Sequence, residues 1–215
     1  GTGQVHFSAA SVHAEVLGHI VENRVIQDGF LDVLYKADLG LLPGARLEQL
    51  RRSGDDWLLT LTDGRELRAP LLIAADGANS AVRRLAGCAT RELDYLHHAI
   101  VTSVRCSKPH QQTAWQRFTD DGPLAFLPLA KADDREHWCS IVWSTTPAEA
   151  ERMMALDDAA FCQALGKAFE WRLGEVLQSD PRHCIPLRQR HAKCYVESCL
   201  ALIGDVAHTI HPLAG

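Results

Sequence analysis

The chain has 215 residues, of which 22 are Lys or Arg and 27 are Asp or Glu, so its formal charge at pH 7 is −5. This charge argues against nucleic acid as a partner, because proteins that bind nucleic acid usually carry a basic surface. Hydrophobic residues make up 47% of the chain, which is typical of a globular protein and excludes disorder as its main character. The longest apolar runs are about five residues, whereas a membrane-spanning helix needs about twenty.

The seven cysteines are spread along the chain, and none lies in a Cys-x-x-Cys pair. Neither a disulfide framework nor a zinc ribbon fits this spacing, and we expect no metal site. The cysteine usage favours a reducing compartment, of which the cytoplasm is the simplest. The sequence opens without Met or a secretory signal and stops directly after a motif described below, so we interpret it as a fragment of a longer chain.

The first part of the sequence predicts one helix and one hairpin. Apolar residues recur at spacings of three and four between Val21 and Ala37, with Gly40 as a stop signal, which predicts an amphipathic helix. Residues 57–68 predict two short strands around Asp63-Gly64, a dipeptide that tolerates the positive φ angles of a type I′ turn. We expect this hairpin to lie on the surface.

The next segment predicts a strand of a parallel sheet and a short helix. Residues 71–75 show no polar alternation, which is typical of a strand that is covered on both faces. A helix is expected over residues 79–86, ended by Gly87. Residues 199–203 predict a second strand of the same kind.

The middle of the chain has a different character. Residues with high β propensity concentrate in four stretches that predict an antiparallel sheet: 95–106, 114–119, 124–129 and 138–144. Thr146 and Pro147 carry the signals of a helix start, and helices are expected over most of 147–172.

The fold class predicted from these elements is α/β with α+β character. It comprises part of a Rossmann-like domain and a mostly antiparallel sheet domain with helices. The first domain is expected to include residues 1–90 and 196–215, and the second to include residues 91–195.

Two segments, residues 73–83 and 202–215, share one layout. In each, an apolar strand is followed by an Asp beside a Gly, Asp76-Gly77 or Gly204-Asp205, and then by small residues that open a helix. Ligands of open α/β sheets bind beyond the carboxyl ends of the strands. An Asp there can accept hydrogen bonds from sugar-like hydroxyls, and a helix N-terminus can bind phosphate. The pair predicts a site for a ribose- or ribityl-phosphate cofactor, although either Asp alone could simply cap its helix.

These residues also carry a family resemblance. Asp76-Gly77-x-x-Ser80-x-Val82-Arg83 resembles the Asp-Gly motif of the FAD-dependent aromatic-ring hydroxylases, which are group A flavoprotein monooxygenases. Gly204-Asp205-x-Ala207-His208-x-x-x-Pro212-x-x-Gly215 resembles their Gly-Asp motif. Residues 17–23, 125–129 and 140–144 are similar to the ubiquinone-biosynthesis branch of this family, in particular to bacterial 2-polyprenylphenol hydroxylases.

The resemblance implies roles for individual residues. Asp205 would hydrogen-bond the ribityl chain of FAD, and the backbone from Pro212 to Gly215 would approach the isoalloxazine and the pyrophosphate. Asp76 and Arg83 would lie near the pyrophosphate, in a motif that the family links to both FAD and NAD(P)H. The other cofactor-binding residues implied are Gly77, Gly204, Ala207 and, on the first helix, Asn23.

The resemblance also implies a reaction. NAD(P)H would reduce FAD, and O2 would supply the oxygen atom that is transferred to the ring of a polyprenylated phenol. His211, beside Pro212, is the candidate catalytic residue, although a His at a helix start is more often structural. Other ubiquinone-biosynthesis proteins and a peripheral membrane contact are left open as further partners.

The sequence departs from the family pattern at one important place. The family begins with a strand, a Gly-x-Gly-x-x-Gly turn and a helix that hold the FAD pyrophosphate, and here His6 stands where the third glycine would be. We therefore expect the fragment alone to be inactive and to bind FAD poorly. Two alternatives stay open: a flavin-dependent enzyme of another type, such as a halogenase or prenyl reductase, and a non-catalytic assembly module of the quinone pathway.

Overall fold

A computed structural model describes residues 3–210 of the chain. The α-helices within this range are α1 (Asn23–Lys36), α2 (Ala81–Leu85), α3 (Pro147–Ala155) and α4 (Asp158–Ala168). The strands are β1 (Leu47–Ser53), β2 (Asp56–Leu61), β3 (Glu66–Ala69), β4 (Leu72–Ala74), β5 (Thr90–Cys106), β6 (Trp115–Thr119), β7 (Gly122–Pro128), β8 (Trp138–Thr145), β9 (Val176–Ser179), β10 (His183–Ala192), β11 (Val196–Glu197), β12 (Leu200–Leu202) and β13 (His208–Thr209). Single 3₁₀ turns occupy Ala9–Val12 and Gly204–Val206.

The strands form three sheets. The largest has seven strands in the order β13-β10-β5-β8-β7-β6, with β9 also paired to β5, and its internal pairings are antiparallel. It confirms the antiparallel sheet predicted for the middle of the chain. The helices α3 and α4 lie between β8 and β9 in the chain, and the Thr146 hydroxyl accepts a hydrogen bond from the Glu149 amide at 3.3 Å, as the predicted helix start requires.

The predicted hairpin is present, but its turn is of another type. Strands β2 and β3 pair antiparallel, with Thr60 opposite Glu66. Gly64 has φ +84°, whereas Asp63 keeps a negative φ. The Gly64 amide donates to the Leu61 carbonyl at 3.0 Å, and the Leu61 amide donates to the Arg65 carbonyl at 2.9 Å. The prediction of a type I′ turn is therefore wrong, because the longer loop needs a positive φ at Gly64 alone.

The two apolar runs form neighbouring parallel strands, as predicted. In this small sheet β4 pairs with β12, and Ile73 lies opposite Ala201. The expectation that both faces are covered is wrong for residues 3–210: Ile73 is 54% exposed, while Ala74 is 1% exposed. One face packs on the core, and no described element covers the other.

The apolar side chains form two separate cores. The larger lies between the seven-stranded sheet and the helices α3 and α4. Its most deeply buried large side chains include Ile100, Leu124, Phe126, Ile141, Met153, Phe161 and Leu165. The smaller core joins the three-stranded sheets, and its buried members are Trp57, Ala74, Val82, Ala192, Leu200, Leu202, Val206 and Ala207.

The first helix behaves differently from the others. The prediction of a helix over this segment is confirmed by α1, yet none of its residues is buried, and Phe30 is 66% exposed. Within residues 3–210, no helix is both long enough and apolar enough to span a membrane.

Candidate functional site

The parallel pairing of β4 with β12 brings the two Asp-containing segments to one edge of the small sheet. Ala74 at the end of β4 lies opposite Leu202 at the end of β12. The pairing continues one step further, since the Ile203 amide donates to the Ala74 carbonyl at 3.0 Å. Asp76 and Asp205 follow these strand ends, so the structure brings together the two segments that the sequence singled out.

The Asp76 carboxylate accepts from the first amides of α2, beside the N-cap residue Ser80, whose hydroxyl accepts from the Arg83 amide at 2.9 Å. The carboxylate oxygens accept hydrogen bonds from the Ser80 hydroxyl at 2.5 Å and from the amides of Ala81 and Val82 at 2.7 and 3.2 Å. Partial burial would raise the pKa of Asp76, but the hydrogen bonds from Ser80 and from these amides outweigh it and hold the pKa below its usual value. The capping role that the sequence left open is therefore shared by Asp76 and Ser80.

The Arg83 side chain joins the two segments. It is only 7% exposed, and its guanidinium donates to the Val206 carbonyl at 2.8 Å and to the Ala78 carbonyl at 2.6 Å. Burial and the nearby positive charge of Arg190 lower the pKa of Arg83. The Arg83 guanidinium thus connects the loop that contains Asp76 to the turn that contains Asp205.

The Asp205 side chain has a different environment. It is exposed, and within residues 3–210 its carboxylate has no hydrogen-bond or ion-pair partner. A side chain added at the neighbouring Gly204 would meet no atom of the described residues within 4 Å. Val206 and Ala207 are buried behind it, and the Ala207 carbonyl accepts a hydrogen bond from the Ala192 amide at 2.8 Å. Among the described residues, the Asp205 carboxylate is therefore an acceptor without a donor, next to the buried Val206 and Ala207.

The predicted helix after Asp205 does not begin at once. Gly204–Val206 forms a single 3₁₀ turn, and His208 and Thr209 then pair with β10. The expectation of a helix opening directly after Asp205 is thus wrong for the described residues, because β10 offers a free edge that this segment joins.

One predicted site residue, Asn23, is not brought to this edge, and three others lie outside the described residues. Asn23 begins α1, none of whose residues is buried, so the structure shows no packing of this residue against the site. His211, Pro212 and Gly215 lie outside the described residues. In the part of the chain that the structure describes, no group of three or more His, Cys, Asp or Glu side chains could hold a metal ion.

Sequence reasoning missed the role of Arg190. This residue lies on β10 and forms an ion pair with Glu92 at 2.7 Å, and its guanidinium also donates to the Ala78 carbonyl. The alternation of residues along a strand predicts which face of the sheet a side chain lies on. It does not predict which distant loop packs on that face. No sequence signal identified this contact.

Comparison with known proteins identifies the family. Residues 50–215 match the family described as "FAD binding domain", and the chain belongs to this family. It is 41% identical to the 3-demethoxyubiquinol 3-hydroxylase of Escherichia coli, over 100% of this chain and 54% of that protein. It is 35% identical to the ubiquinone hydroxylase UbiL of Rhodospirillum rubrum, over 98% of this chain and 48% of that protein. The chain therefore spans about half the length of the curated relatives it matches.

The fold is also found among solved structures. The crystal structure of CmlS, a flavin-dependent halogenase, matches with a TM-score of 0.74 and 16% identity, over 90% of this chain and 36% of that protein. At this identity the likeness concerns the fold alone. It agrees with the mixed α/β architecture predicted from the sequence.

Proposed function

We propose that the chain is part of an FAD-dependent monooxygenase that hydroxylates the aromatic ring of a polyprenylated phenol in ubiquinone biosynthesis. NAD(P)H would be the reductant and O2 the source of the oxygen atom. The observation that carries the proposal is the exposed Asp205 carboxylate, without a partner in residues 3–210, at the shared end of two parallel strands. The similarity to two ubiquinone-pathway hydroxylases supports the reaction type.

The residues at this edge fit FAD. A free carboxylate at a strand end is suited to accept hydrogen bonds from the ribityl hydroxyls, and the open space at Gly204 lets a ligand approach the backbone. When bound, FAD supplies the redox chemistry of the hydroxylation. The chain's own part is to bind and orient the cofactor: Asp205 as acceptor and Gly77 through its backbone. Ala207 would support Asp205 from behind, because it is buried and its amide and carbonyl are hydrogen-bonded to Gly204 and Ala192. Asp76 and Arg83 act by holding the loop and the turn together.

Further assignments complete the proposal. Asn23, Pro212 and Gly215 are proposed cofactor contacts on the strength of the motifs alone, and His211 is proposed as the catalytic residue. Residues 91–195 would form the substrate domain, with the seven-stranded sheet as its wall. A halogenase function is less well supported, because the hydroxylases are 35–41% identical to the chain and the halogenase only 16%. No observation favours a prenyl reductase or an assembly module.

The test is a binding experiment on the full-length protein. We expect the unchanged protein to bind FAD and to convert a polyprenylated phenol to a product that contains one additional oxygen, with consumption of NAD(P)H. Asp205→Asn should weaken FAD binding about tenfold, because a hydrogen bond to a charged acceptor becomes a bond to a neutral one. Fluorescence titration of FAD measures this change.

Asp121→Asn is the matched control, because Asp121 lies in an exposed turn between β6 and β7. It should bind FAD like the unchanged protein. Equal affinity of the Asp205 and Asp121 variants would contradict the assigned role of Asp205. Absence of FAD binding by the unchanged protein would contradict the proposed function itself.

A further inference from the structure

The carbonyl oxygen of Ala78 accepts hydrogen bonds from two guanidinium groups. One comes from Arg83, at 2.6 Å, and the other from Arg190. Arg83 belongs to the same segment as Ala78, whereas Arg190 is 112 residues away along the chain, on β10 of the seven-stranded sheet. Contacts within a segment cannot fix its place relative to another sheet. The Arg190 contact can fix the position of the Ala78 segment, because Arg190 lies on a strand that is paired within the seven-stranded sheet.

Arg190 is itself held in a defined orientation. Glu92 lies directly opposite it in the pairing of β10 with β5. The guanidinium donates to both carboxylate oxygens of Glu92, at 2.7 and 3.3 Å, and the Arg190 side chain is only 16% exposed. This two-point geometry restricts the planar guanidinium more than a single contact would. The remaining donor edge then faces the Ala78 carbonyl.

The charges make Arg190 and Glu92 a functional unit. Arg83 and Arg190 meet at one oxygen atom, so two positive charges lie close together. Glu92 hydrogen-bonds to Arg190, and its negative charge offsets the repulsion between the two guanidinium groups. Without Glu92, the favourable arrangement for Arg190 would be one that points away from Arg83. The position of the loop therefore depends on both members of the ion pair.

We propose that Arg190, oriented by Glu92, is a positioning residue that holds residues 76–80 in the shape that binds the proposed FAD. This inference rests on the proposed function and adds a residue of the antiparallel sheet to its cofactor site. Arg190 acts through the Ala78 backbone, without itself contacting the ligand. The loop would then follow any movement of β5 and β10.

The experiment compares variants of the full-length protein by FAD titration and by hydrogen exchange without FAD. Arg190→Gln should weaken FAD binding about tenfold and speed exchange of the Ser80, Ala81 and Val82 amides, which are hydrogen-bonded to Gly77 and Asp76 in this loop. Glu92→Gln should act in the same direction, and the double variant should be no worse than Arg190→Gln, because one unit is removed. Arg190→Lys should restore binding only in part, since an ammonium cannot span Glu92 and Ala78 as the guanidinium does.

Arg105→Gln is the matched control. Arg105 forms an ion pair with Asp134 at 3.0 Å and lies at the other end of β5 from Glu92. Its substitution should leave FAD affinity and loop exchange unchanged. The inference is overturned if Arg190→Gln binds FAD within twofold of the unchanged protein, or if loop exchange does not change. If the unchanged protein binds no FAD, the proposed function fails and the inference fails with it.

Discussion

Asp76 illustrates how one carboxylate serves local structure at the proposed cofactor site. Its hydrogen bonds to Ser80 and to the first amides of α2 lower its pKa below the ordinary value of 3.8. A lowered pKa in the folded state means that the charged carboxylate stabilises the fold. This contribution is complete above the ordinary pKa and is lost as the pH falls through the folded-state pKa.

We predict that Asp76→Ala lowers the free energy of unfolding by about 1 kcal/mol at pH 7, because the hydrogen bonds from Ser80, Ala81 and Val82 are lost while the N-cap residue Ser80 remains. The difference in free energy of unfolding between Asp76→Ala and the unchanged protein should shrink as the pH falls below about 4. Asp76 is then protonated in the unfolded chain and begins to be protonated in the folded one. Urea unfolding at several pH values measures it. Asp121→Ala, in the exposed turn, should show no such dependence, and a constant difference for Asp76→Ala would refute the argument.

Residue types and spacing predicted the pair of Asp segments, but not the hydrogen-bonding role of each Asp side chain. The layout of Asp76 and Asp205 is the same in sequence, yet one carboxylate accepts from the first amides of the following helix and the other has no partner in the described residues. The difference arises because a five-residue α-helix follows Asp76, whereas a 3₁₀ turn and a strand follow Asp205. Arg190 could not be predicted, because its partner depends on how the two sheets meet.

Among the secondary structure elements, β7 shows how a single glycine sets the spacing of two strands. A β-carbon added to Gly122, the first residue of β7, would lie 2.3 Å from the Ser144 carbonyl oxygen of β8. Gly122 also has φ +136°, where side chains are strained. Gly64 has a positive φ too, but a β-carbon there would meet nothing within 4 Å. Substitution of Gly64 therefore tests backbone strain alone, whereas substitution of Gly122 tests backbone strain together with a steric collision.

We predict that Gly64→Ala costs about 1–2 kcal/mol, the usual penalty for an alanine with left-handed backbone geometry. Gly122→Ala should cost about 1–3 kcal/mol more, because β7 must also move away from β8. Chemical denaturation of both variants measures the difference. Equal losses of stability would mean that the contact with Ser144 relaxes without cost.

The strands and helices themselves were largely predictable, because their residues alternate or recur at helical spacing. The turn at Gly64 and the exposed face of β4 were not, since both depend on what surrounds the element. Ile73 has the apolar character of a strand covered on both faces, yet it is 54% exposed. A sequence pattern records which surfaces are fit for burial, whereas coverage depends on the elements that are present to pack there.

In the molecule as a whole, the two cores are separate and connect through β10, whose Ala192 belongs to the smaller core. The larger core lies on the seven-stranded sheet and the smaller joins β2, β4, β12 and α2. Between them run the short pairing of β13 with β10 and the contact from Arg190 to Ala78. The division into domains at residues 90 and 195 is still a prediction, and it implies that each core can lose stability without the other.

Matched substitutions in the two cores test this division. Leu202 is 4% exposed in the smaller core, and Leu165 is fully buried in the larger. Each Leu→Ala change should cost about 2–5 kcal/mol. In the full-length protein, Leu202→Ala should speed hydrogen exchange in β4, β12 and α2 while β7 and β8 stay protected, and Leu165→Ala should do the reverse. Equally faster hydrogen exchange in all of these elements would mean that the two cores are fully coupled and that the chain unfolds as one cooperative unit.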